Sequence, residues 1–261
     1  MISDLHVAIL GLGEAGSRFA NDLAALGVST SGWDPNPMRS LDPSIYFAKD
    51  NIDACKHAQI ILSVNTSEAS ESVANEVLPV LNSGKIYAEM NTSSPERKIK
   101  IYDAVKSSGV KYVDVAIMAP VPPKGIFTPF LISGPGANAL HERLSQFDFD
   151  ISVLNDIVGD ASTRKLLRSI VYKGIAAVIC EAVEAGARFE LADYVREQIS
   201  SIIGGKDELI DRFVEGSFTH AERRSHEMDA VVQMLKAKGM DPILSKASYD
   251  HLSKLLTQRK M

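Results

Sequence analysis

A glycine-rich hexapeptide near the start of the chain limits its possible folds more than any other feature. Gly11-Leu12-Gly13-Glu14-Ala15-Gly16 follows a short apolar run, residues 6–10, and precedes a segment whose apolar residues recur at helical spacing. A G-x-G-x-x-G motif between a strand and a helix is typical of a turn that holds a diphosphate at the start of the helix. We therefore predict a dinucleotide site at Gly11, Gly13, Glu14, Ala15 and Gly16; the alternative is an ordinary glycine-rich turn.

An acidic residue ends the next predicted strand. Asp34 follows the segment 28–33, roughly 20 residues after the motif, where the carboxylate of NAD-binding proteins accepts hydrogen bonds from the adenosine ribose. A carboxylate at this position repels the additional phosphate of NADP, so we expect NAD as the cofactor. NADP stays possible because Arg39 is close enough in sequence to bind that phosphate.

The first 158 residues alternate strand-like and helix-like segments. Further strands are predicted at residues 59–64, 85–90, 110–118, 128–133 and 149–154. Near-continuous apolar strands separated by helices indicate a mostly parallel, doubly wound α/β sheet, the Rossmann fold, which binds ligands beyond the carboxyl ends of its strands. Val64 ends one of these strands and Asn65 follows it, so we assign both to cofactor binding as well.

The second part of the chain contains no strand-like run. Residues 161–188 fit one long helix, and further helices are expected at about 190–203, 206–215, 218–238 and 241–259, with Thr219 as an amino-terminal cap. The sequence thus predicts a Rossmann domain over residues 1–158 that binds NAD(P), followed by an all-α domain over residues 159–261 for substrate binding and dimerisation.

Composition argues against several classes of function. A net charge of −5 disfavours a nucleic-acid surface and a basic membrane-binding patch, and no apolar run reaches membrane-spanning length. Cys55 and Cys180 are far apart and have no histidines at ligand spacing, so we expect no metal site and a reducing compartment, the cytoplasm. No signal peptide is expected before the first strand.

Polar residues recur on one face of the long helix. Lys165 is followed by Arg168, by Ser169 one turn on and by Tyr172 two turns on. Such a stripe on a buried helix faces a cleft or a partner; the alternative is a solvated stripe at the domain boundary. Lysine can act as a general acid/base when burial or a nearby cation lowers its pKa. Lys165 is our candidate for that role, with Ser169 and Tyr172 assisting.

Four stretches resemble the β-hydroxyacid dehydrogenases, the superfamily of 3-hydroxyisobutyrate and 6-phosphogluconate dehydrogenases. The resemblance covers essentially the whole chain, and residues 118–125 and 223–228 are closer to a branch with a distinct phosphogluconate-dehydrogenase-like C-terminal domain. The four stretches are the glycine motif with Asp34; Glu89-Met90-Asn91-Thr92-Ser93-Ser94-Pro95, similar to D-x-S-T-x-S-P; Asp114-Val115-Ala116-Ile117-Met118-Ala119-Pro120, at the place of D-A-P-V-S-G-G; and residues 159–165.

The resemblance implies roles for individual residues. Lys165 matches the catalytic lysine of the superfamily and Thr92 the threonine beside the nicotinamide, and the helical domain is expected to form a homodimer. Two departures concern the substrate. Met118, Ala119 and Pro120 replace the S-G-G that holds the substrate carboxylate, and Ser169 replaces an asparagine. We keep these residues, with Thr92 and Lys165, as substrate-binding candidates. We do not predict that this protein acts on the substrates of the named enzymes.

The expected function is NAD(P)-dependent hydride transfer between nicotinamide and the carbinol carbon of a hydroxy acid or related small hydroxy compound. We expect the substrate to be anionic. The altered segment 118–120 suggests an alternative within the superfamily, an imine or ketone reductase. A second alternative is a non-catalytic protein that senses NAD(H). Arg223 and Arg224 are adjacent, so one of them can bind a substrate carboxylate, or both can form surface ion pairs.

Overall fold

The computed structural model describes residues 5–37, 40–204 and 207–258. The chain packs into two units, Met1–Lys165 and Leu166–Met261. The domain boundary predicted at residue 158 stays a prediction.

The first unit is built on a single sheet, which in the described part of the chain has eight strands. Among the described residues, short 3-10 turns accompany the regular elements at Leu78–Val80, Lys106–Ser108 and Gly125–Phe127. In chain order the elements are β1 (His6–Leu10), α1 (Glu14–Ala25), β2 (Ser29–Trp33), β3 (Tyr46–Phe47), α2 (Asn51–Cys55), β4 (Ile60–Ser63), α3 (Ser70–Val77), β5 (Ile86–Glu89), α4 (Pro95–Val105), β6 (Lys111–Ile117), β7 (Phe130–Ser133), α5 (Ala137–Leu144), β8 (Ile151–Val153) and the start of α6 (Asp160–Arg188).

The strand order is β3-β2-β1-β4-β5-β6-β7-β8. Strands β1 to β6 are parallel, β7 is antiparallel to β6, and β8 is parallel to β7. The carboxyl ends of β1, β2, β4, β5 and β6 therefore lie along one edge, and the chain reverses its direction of winding between β1 and β4, where such folds bind ligands. The predicted fold class, a mostly parallel doubly wound sheet, is confirmed.

Successive side chains of a strand point to opposite faces of the sheet. Because these strands are apolar along nearly their whole length, both faces are buried. In β1, Val7 and Ile9 belong to one core cluster, whereas Ala8 and Leu10 belong to the cluster on the other face. Helix α1 covers the first face with Phe19, whose ring packs edge-on against another aromatic ring of the same cluster. The central strands therefore hold the glycine motif and the neighbouring loops on a rigid support.

Three elements of the first unit were not predicted. Strand β3 has only two residues, both exposed, and α2 has five residues, too few for a helical hydrophobic period to be recognised. Helix α2 depends on a local cap instead, since the Asp50 carboxylate accepts a hydrogen bond from the Asp53 amide at 2.7 Å. Helix α5 was also missed.

In the second unit the described residues form helices and no strand. After α6 come α7 (Ala192–Ile203), α8 (Asp207–Thr219), α9 (Ala221–Ala237) and α10 (Ile243–Gln258). The prediction that Thr219 caps α9 is wrong, because α8 continues through Thr219 and His220 takes the cap position without a side-chain hydrogen bond. Among the described helices, none is long and apolar enough to cross a membrane.

Candidate functional site

The glycine motif forms the turn between β1 and α1, and each glycine meets a different physical requirement. Gly11 has a φ of +102°, and a Cβ there would lie 2.5 Å from the Val64 carbonyl oxygen. A Cβ at Gly16 would lie 1.8 Å from the Gly11 carbonyl oxygen, so the turn closes only with glycine. At Gly13 a Cβ would meet nothing within 4 Å. The space beside Gly13 is therefore open to a phosphate.

The start of α1 can bind that phosphate. Gly13 takes the cap position without a side-chain hydrogen bond, and the first amide groups of a helix have no acceptor within the helix. Glu14 is exposed and Ala15 half-buried in this first turn, so their amides begin the helix. These amides and the positive end of the helix dipole favour a diphosphate.

Asp34, immediately after β2, joins this turn. Its Oδ2 accepts a hydrogen bond from the Leu12 amide at 2.7 Å, and its Oδ1 accepts one from the Asn36 amide at 2.7 Å. Each carboxylate oxygen has a second acceptor site, so the carboxylate is held in place and can still bind a ribose hydroxyl. Arg39 lies outside the described residues.

The loop after β4 packs against the glycine turn. A Cβ at Gly11 would lie 2.8 Å from the Asn65 Cα, so the two loops are in close contact. The Val64 amide donates to the Leu10 carbonyl oxygen at 2.8 Å, and the Asn65 side-chain amide donates to Ser63 Oγ at 3.0 Å. Val64 and Asn65 are thus beside the turn, where they were expected.

The loop after β5 carries the closest contact between two predicted site residues. Lys165, in the second turn of α6, donates from Nζ to Thr92 Oγ1 at 2.6 Å. Both side chains are half-buried, and both residues belong to the first unit. Because Thr92 follows β5, this hydrogen bond places the lysine ammonium at the carboxyl edge of the sheet.

A fully buried charge cluster lies at the ends of β5 and β6. Lys98, on α4, forms ion pairs with the carboxylates of Glu89 and Asp114, the latter at 3.2 Å, and donates to the Glu89 carbonyl oxygen at 2.9 Å. Burial raises the pKa of Glu89 in spite of the nearby Lys98. Burial opposes the charge on Lys98, but the two carboxylates outweigh it and raise its pKa.

This cluster connects the two residues of the Thr92–Lys165 pair. Glu89 accepts hydrogen bonds from the amide and side chain of Asn91, the residue before Thr92. Asp114 accepts from the Ser162 amide at 3.0 Å and from Ser162 Oγ at 2.7 Å, in the first turn of α6. The cluster therefore fixes both the loop that carries Thr92 and the helical turn that precedes Lys165.

Sequence reasoning missed Lys98, although a signal for it was present. Lys98 precedes Ile101 by three residues and Val105 by seven, and all three side chains are buried on one face of α4. A lysine at the core spacing of an amphipathic helix needs a buried carboxylate as a partner. Glu89 and Asp114, both within the stretches quoted from the sequence, are these partners.

In the second unit, Ser169 and Tyr172 lie in a second polar cluster. Ser169 is buried and Tyr172 half-buried; the Tyr172 ring packs on Phe213 with centroids 5.1 Å apart. Lys173 Nζ donates to Ser169 Oγ at 3.3 Å and forms an ion pair with Glu227. Burial lowers the pKa of Lys173, although the Glu227 carboxylate opposes that shift.

The described residues hold no group of three or more histidine, cysteine, aspartate or glutamate side chains placed to bind a metal ion. Cys55 and Cys180 are both buried and unpaired with each other.

Comparison with known proteins agrees with this architecture. Residues 6–120 match the model of the NAD binding domain of 6-phosphogluconate dehydrogenase, and residues 187–255 match a domain family of unknown function, DUF1932. A conserved protein of unknown function, reported to be structurally similar to 3-hydroxyacid dehydrogenases, is 26% identical, with a TM-score of 0.73 over 98% of both chains. These two matches and the shared fold are consistent with the β-hydroxyacid dehydrogenase superfamily.

Other relatives extend the comparison. An uncharacterized 28.5 kDa protein from Methanothermus fervidus is 29% identical over 251 residues, which cover 94% of this chain and 96% of that protein. Mycobacterium tuberculosis 3-hydroxyisobutyrate dehydrogenase shares the fold, with a TM-score of 0.78, 15% identity and coverage of 97% and 94% of the two chains. An imine reductase from Myxococcus stipitatus, in complex with NADP+, has a TM-score of 0.60, 18% identity and the same coverage.

The departures from the superfamily pattern lie after β6. Met118 and Ala119 are half-buried and Pro120 is exposed. The Met118 amide donates to the Pro129 carbonyl oxygen at 2.9 Å, and Pro120 has no amide hydrogen to offer. The segment therefore follows the carboxyl end of β6 at the expected edge but cannot present the two glycine amides of the S-G-G pattern.

Proposed function

We propose that this β-hydroxyacid dehydrogenase homologue is an NAD(P)-dependent oxidoreductase. It transfers a hydride between nicotinamide and the carbinol carbon of a hydroxy acid or a related small hydroxy compound. The observation that carries the proposal is the 2.6 Å hydrogen bond from Lys165 Nζ to Thr92 Oγ1, at the same sheet edge as the glycine turn. A proton-transferring group and a dinucleotide-binding turn are the two parts that such a reaction requires.

The residues present fit a dinucleotide. The open space beside Gly13 and the helix start beyond it suit the diphosphate, and Asp34 suits the adenosine ribose, which supports NAD over NADP. Val64, Asn65 and Thr92, in the loops after β4 and β5, would contact the rest of the cofactor. When bound, the cofactor supplies or accepts the hydride.

Lys165 would hold the proton that the substrate oxygen gains or loses. In reduction its ammonium donates a proton to the developing alkoxide; in oxidation its neutral amine accepts the hydroxyl proton. Thr92 Oγ1 accepts one of the three ammonium hydrogens, which fixes the direction of the others. Ser169 and Tyr172 are proposed to assist, and Met118, Ala119 and Pro120 to contact the substrate.

Exchange of Lys165 tests this role. Lys165→Met should reduce kcat by about 10²–10⁴-fold, while the Kd for NAD changes little because the dinucleotide is held mainly at the glycine turn. The matched control is Arg164→Met, which removes a neighbouring exposed cation that pairs with Asp160. If Lys165→Met turned over a substrate found by screening as fast as wild type does, the assignment would be wrong. The proton-transfer role would then be proposed for Lys173.

A reductase acting on an imine or ketone is the second candidate. The altered segment 118–120 favours it, because Pro120 removes one of the backbone donors for a carboxylate, and the similarity to an imine reductase agrees with it. A screen of NADH and NADPH oxidation with imines and ketones, beside NAD reduction with hydroxy acids, sugar acids and amino alcohols, separates the two. If the protein bound NAD but turned over none of these substrate classes, a non-catalytic protein that senses NAD(H) would be favoured.

The proposal includes a homodimer in a reducing compartment, the cytoplasm. Helix α6 exposes Val171, Ile175 and Val178 at 62%, 41% and 69% of their surface, and this i, i+4, i+7 spacing forms one apolar stripe. A second copy of the chain is the proposed partner of that stripe. The two unpaired cysteines support the choice of compartment.

A further inference from the structure

Arg224 is held in an unusual way within the second unit. Its guanidinium carbon lies 5.7 Å from the centroid of the Tyr172 ring, and its Nη1 donates to Ser217 Oγ at 2.9 Å. Ser217 in turn donates to the Phe213 carbonyl oxygen at 2.7 Å. The side chain is thus fixed on both sides, by a ring face and by a hydroxyl with a set orientation.

A glycine makes room for this guanidinium. A Cβ at Gly216 would lie 2.7 Å from Arg224 Nη2. Gly216 is inside α8, where glycine is a poorer helix former than alanine. The helix therefore keeps an unfavourable residue at the point where the guanidinium packs.

Most N–H groups of the Arg224 guanidinium have no acceptor among the described residues. Among the described residues, Ser217 is its hydrogen-bond acceptor, whereas a guanidinium carries five N–H groups in a planar fork. Arg224 is only 7% exposed. A buried guanidinium with one protein acceptor is costly unless another acceptor, such as an oxyanion, occupies the remaining donors.

Lys173 lies beside the same ring, with Nζ 5.5 Å from the Tyr172 centroid. Its ammonium has three hydrogens; Glu227 and Ser169 accept two of them. In the described residues, the Glu227 carboxylate forms an ion pair with Lys173, and its negative charge also acts on Arg224. The cluster thus has one positive charge in excess, and burial lowers the pKa of both Lys173 and Arg224.

We propose that Arg224 and Lys173 form an oxyanion site in the helical unit, which binds the carboxylate or phosphate group of the substrate. Its role toward the substrate rests on the proposed function; its capacity to bind an anion does not. A planar guanidinium forms bidentate hydrogen bonds with carboxylate and phosphate groups. The ammonium of Lys173 adds a second positive charge.

The test is the thermal midpoint of the full chain against inorganic phosphate and against malonate, at constant ionic strength and with saturating NAD to occupy the glycine turn. Wild-type protein should be stabilised by at least one of the two anions. Arg224→Met should weaken the apparent affinity about tenfold or more. Arg223→Met is the matched control, because it removes an adjacent but exposed arginine and should respond like wild type.

Two further variants guard against a folding defect. Gly216→Ala keeps the charge and improves helix propensity, but its methyl group displaces the guanidinium, so it should weaken anion binding. Arg224→Lys should bind more weakly than wild type because it loses the fork. Absence of any anion effect in wild type, or equal effects in wild type, Arg224→Met and Gly216→Ala, would overturn the proposal.

The outcomes also separate this site from the proposed function. If NAD binding and turnover fail in wild type while the anion effect depends on Arg224, the oxidoreductase proposal is wrong and the anion site stands. If turnover is found but neither KM nor the anion effect changes in Arg224→Met, the anion site alone is wrong. A preference for phosphate over malonate, or the reverse, identifies the acidic group of the substrate.

Discussion

Replacement of Lys98 by methionine should destabilise the first unit strongly. The substitution keeps the length of the side chain but removes the ammonium that contacts the carboxylates of Glu89 and Asp114 and the Glu89 carbonyl oxygen. All three side chains are fully buried, so two carboxylates are left without a cation. Loss of one partner from a buried ion pair costs about 3–5 kcal/mol.

Thermal unfolding followed by circular dichroism measures this effect. For a domain of this size, 1 kcal/mol corresponds to about 2–4 °C in Tm, so a loss of about 6–20 °C is expected. Lys106→Met is the control, because Lys106 pairs with Asp103 on the surface, where both side chains are 53% exposed. Its Tm should match that of wild type within error.

The loss should also depend on pH. Burial already holds the pKa of Glu89 above its ordinary value, and removal of Lys98 raises it further. A carboxyl whose pKa is higher in the folded state binds its proton more tightly there, so stability falls as pH rises through that interval. The Tm difference between variant and wild type should therefore shrink as pH falls from neutral toward the ordinary glutamate value of about 4.3. A small Tm difference between Lys98→Met and wild type that does not change with pH would show that the cluster is not a buried group of charges.

Three further predictions concern the cofactor turn and the helical unit. Asp34→Ser should narrow the difference between the Kd values for NAD and NADP in fluorescence titrations; tighter NADP binding by wild type would contradict the role of Asp34. Gly16→Ala should destabilise the protein and abolish NAD binding because its methyl group meets the Gly11 carbonyl oxygen, whereas Gly13→Ala should weaken NAD binding at an unchanged Tm without NAD. Val178→Asp should convert the dimer to a monomer in light scattering; a monomeric wild type would exclude the proposed dimer.

Sequence reasoning found the elements whose signals are local. The glycine motif, the apolar strands and the long helical runs each carry a period or a turn residue within ten or so neighbours, and these elements appear close to the expected bounds. The two-residue β3 and the five-residue α2 are too short to show a period. The antiparallel direction of β7 depends on pairing with β6, which no pattern inside residues 128–133 reports.

In the candidate site, too, local sequence patterns predict some features, whereas others depend on packing between distant residues. The parallel-sheet rule predicts that Thr92 and the glycine turn share an edge, because each follows a strand. The hydrogen bond between Thr92 and Lys165 joins residues far apart in the sequence, and here the family resemblance supplied what spacing could not. The contact of Arg224 with Tyr172 depends on the packing of α9 against α6, which neither periodicity nor resemblance specifies.

The connection from β6 to β7 is built as an exchangeable module. Because β7 is antiparallel to β6, residues 118–129 leave and rejoin the sheet at the same edge, and the amide of Met118 meets the carbonyl of Pro129 at 2.9 Å. Closing a longer loop between ends that already touch costs little additional entropy, since the cost grows only with the logarithm of length. Two further hydrogen bonds connect the segment to α1, from the Ile126 amide to Asp22 Oδ2 at 2.9 Å and from Arg18 Nη1 to the Pro122 carbonyl oxygen at 3.4 Å. Val121 and Ile126 also pack into the core of the first unit. Evolution or design can therefore vary the residues of this segment outside the core, including the proposed substrate contacts Met118, Ala119 and Pro120, without altering a single strand.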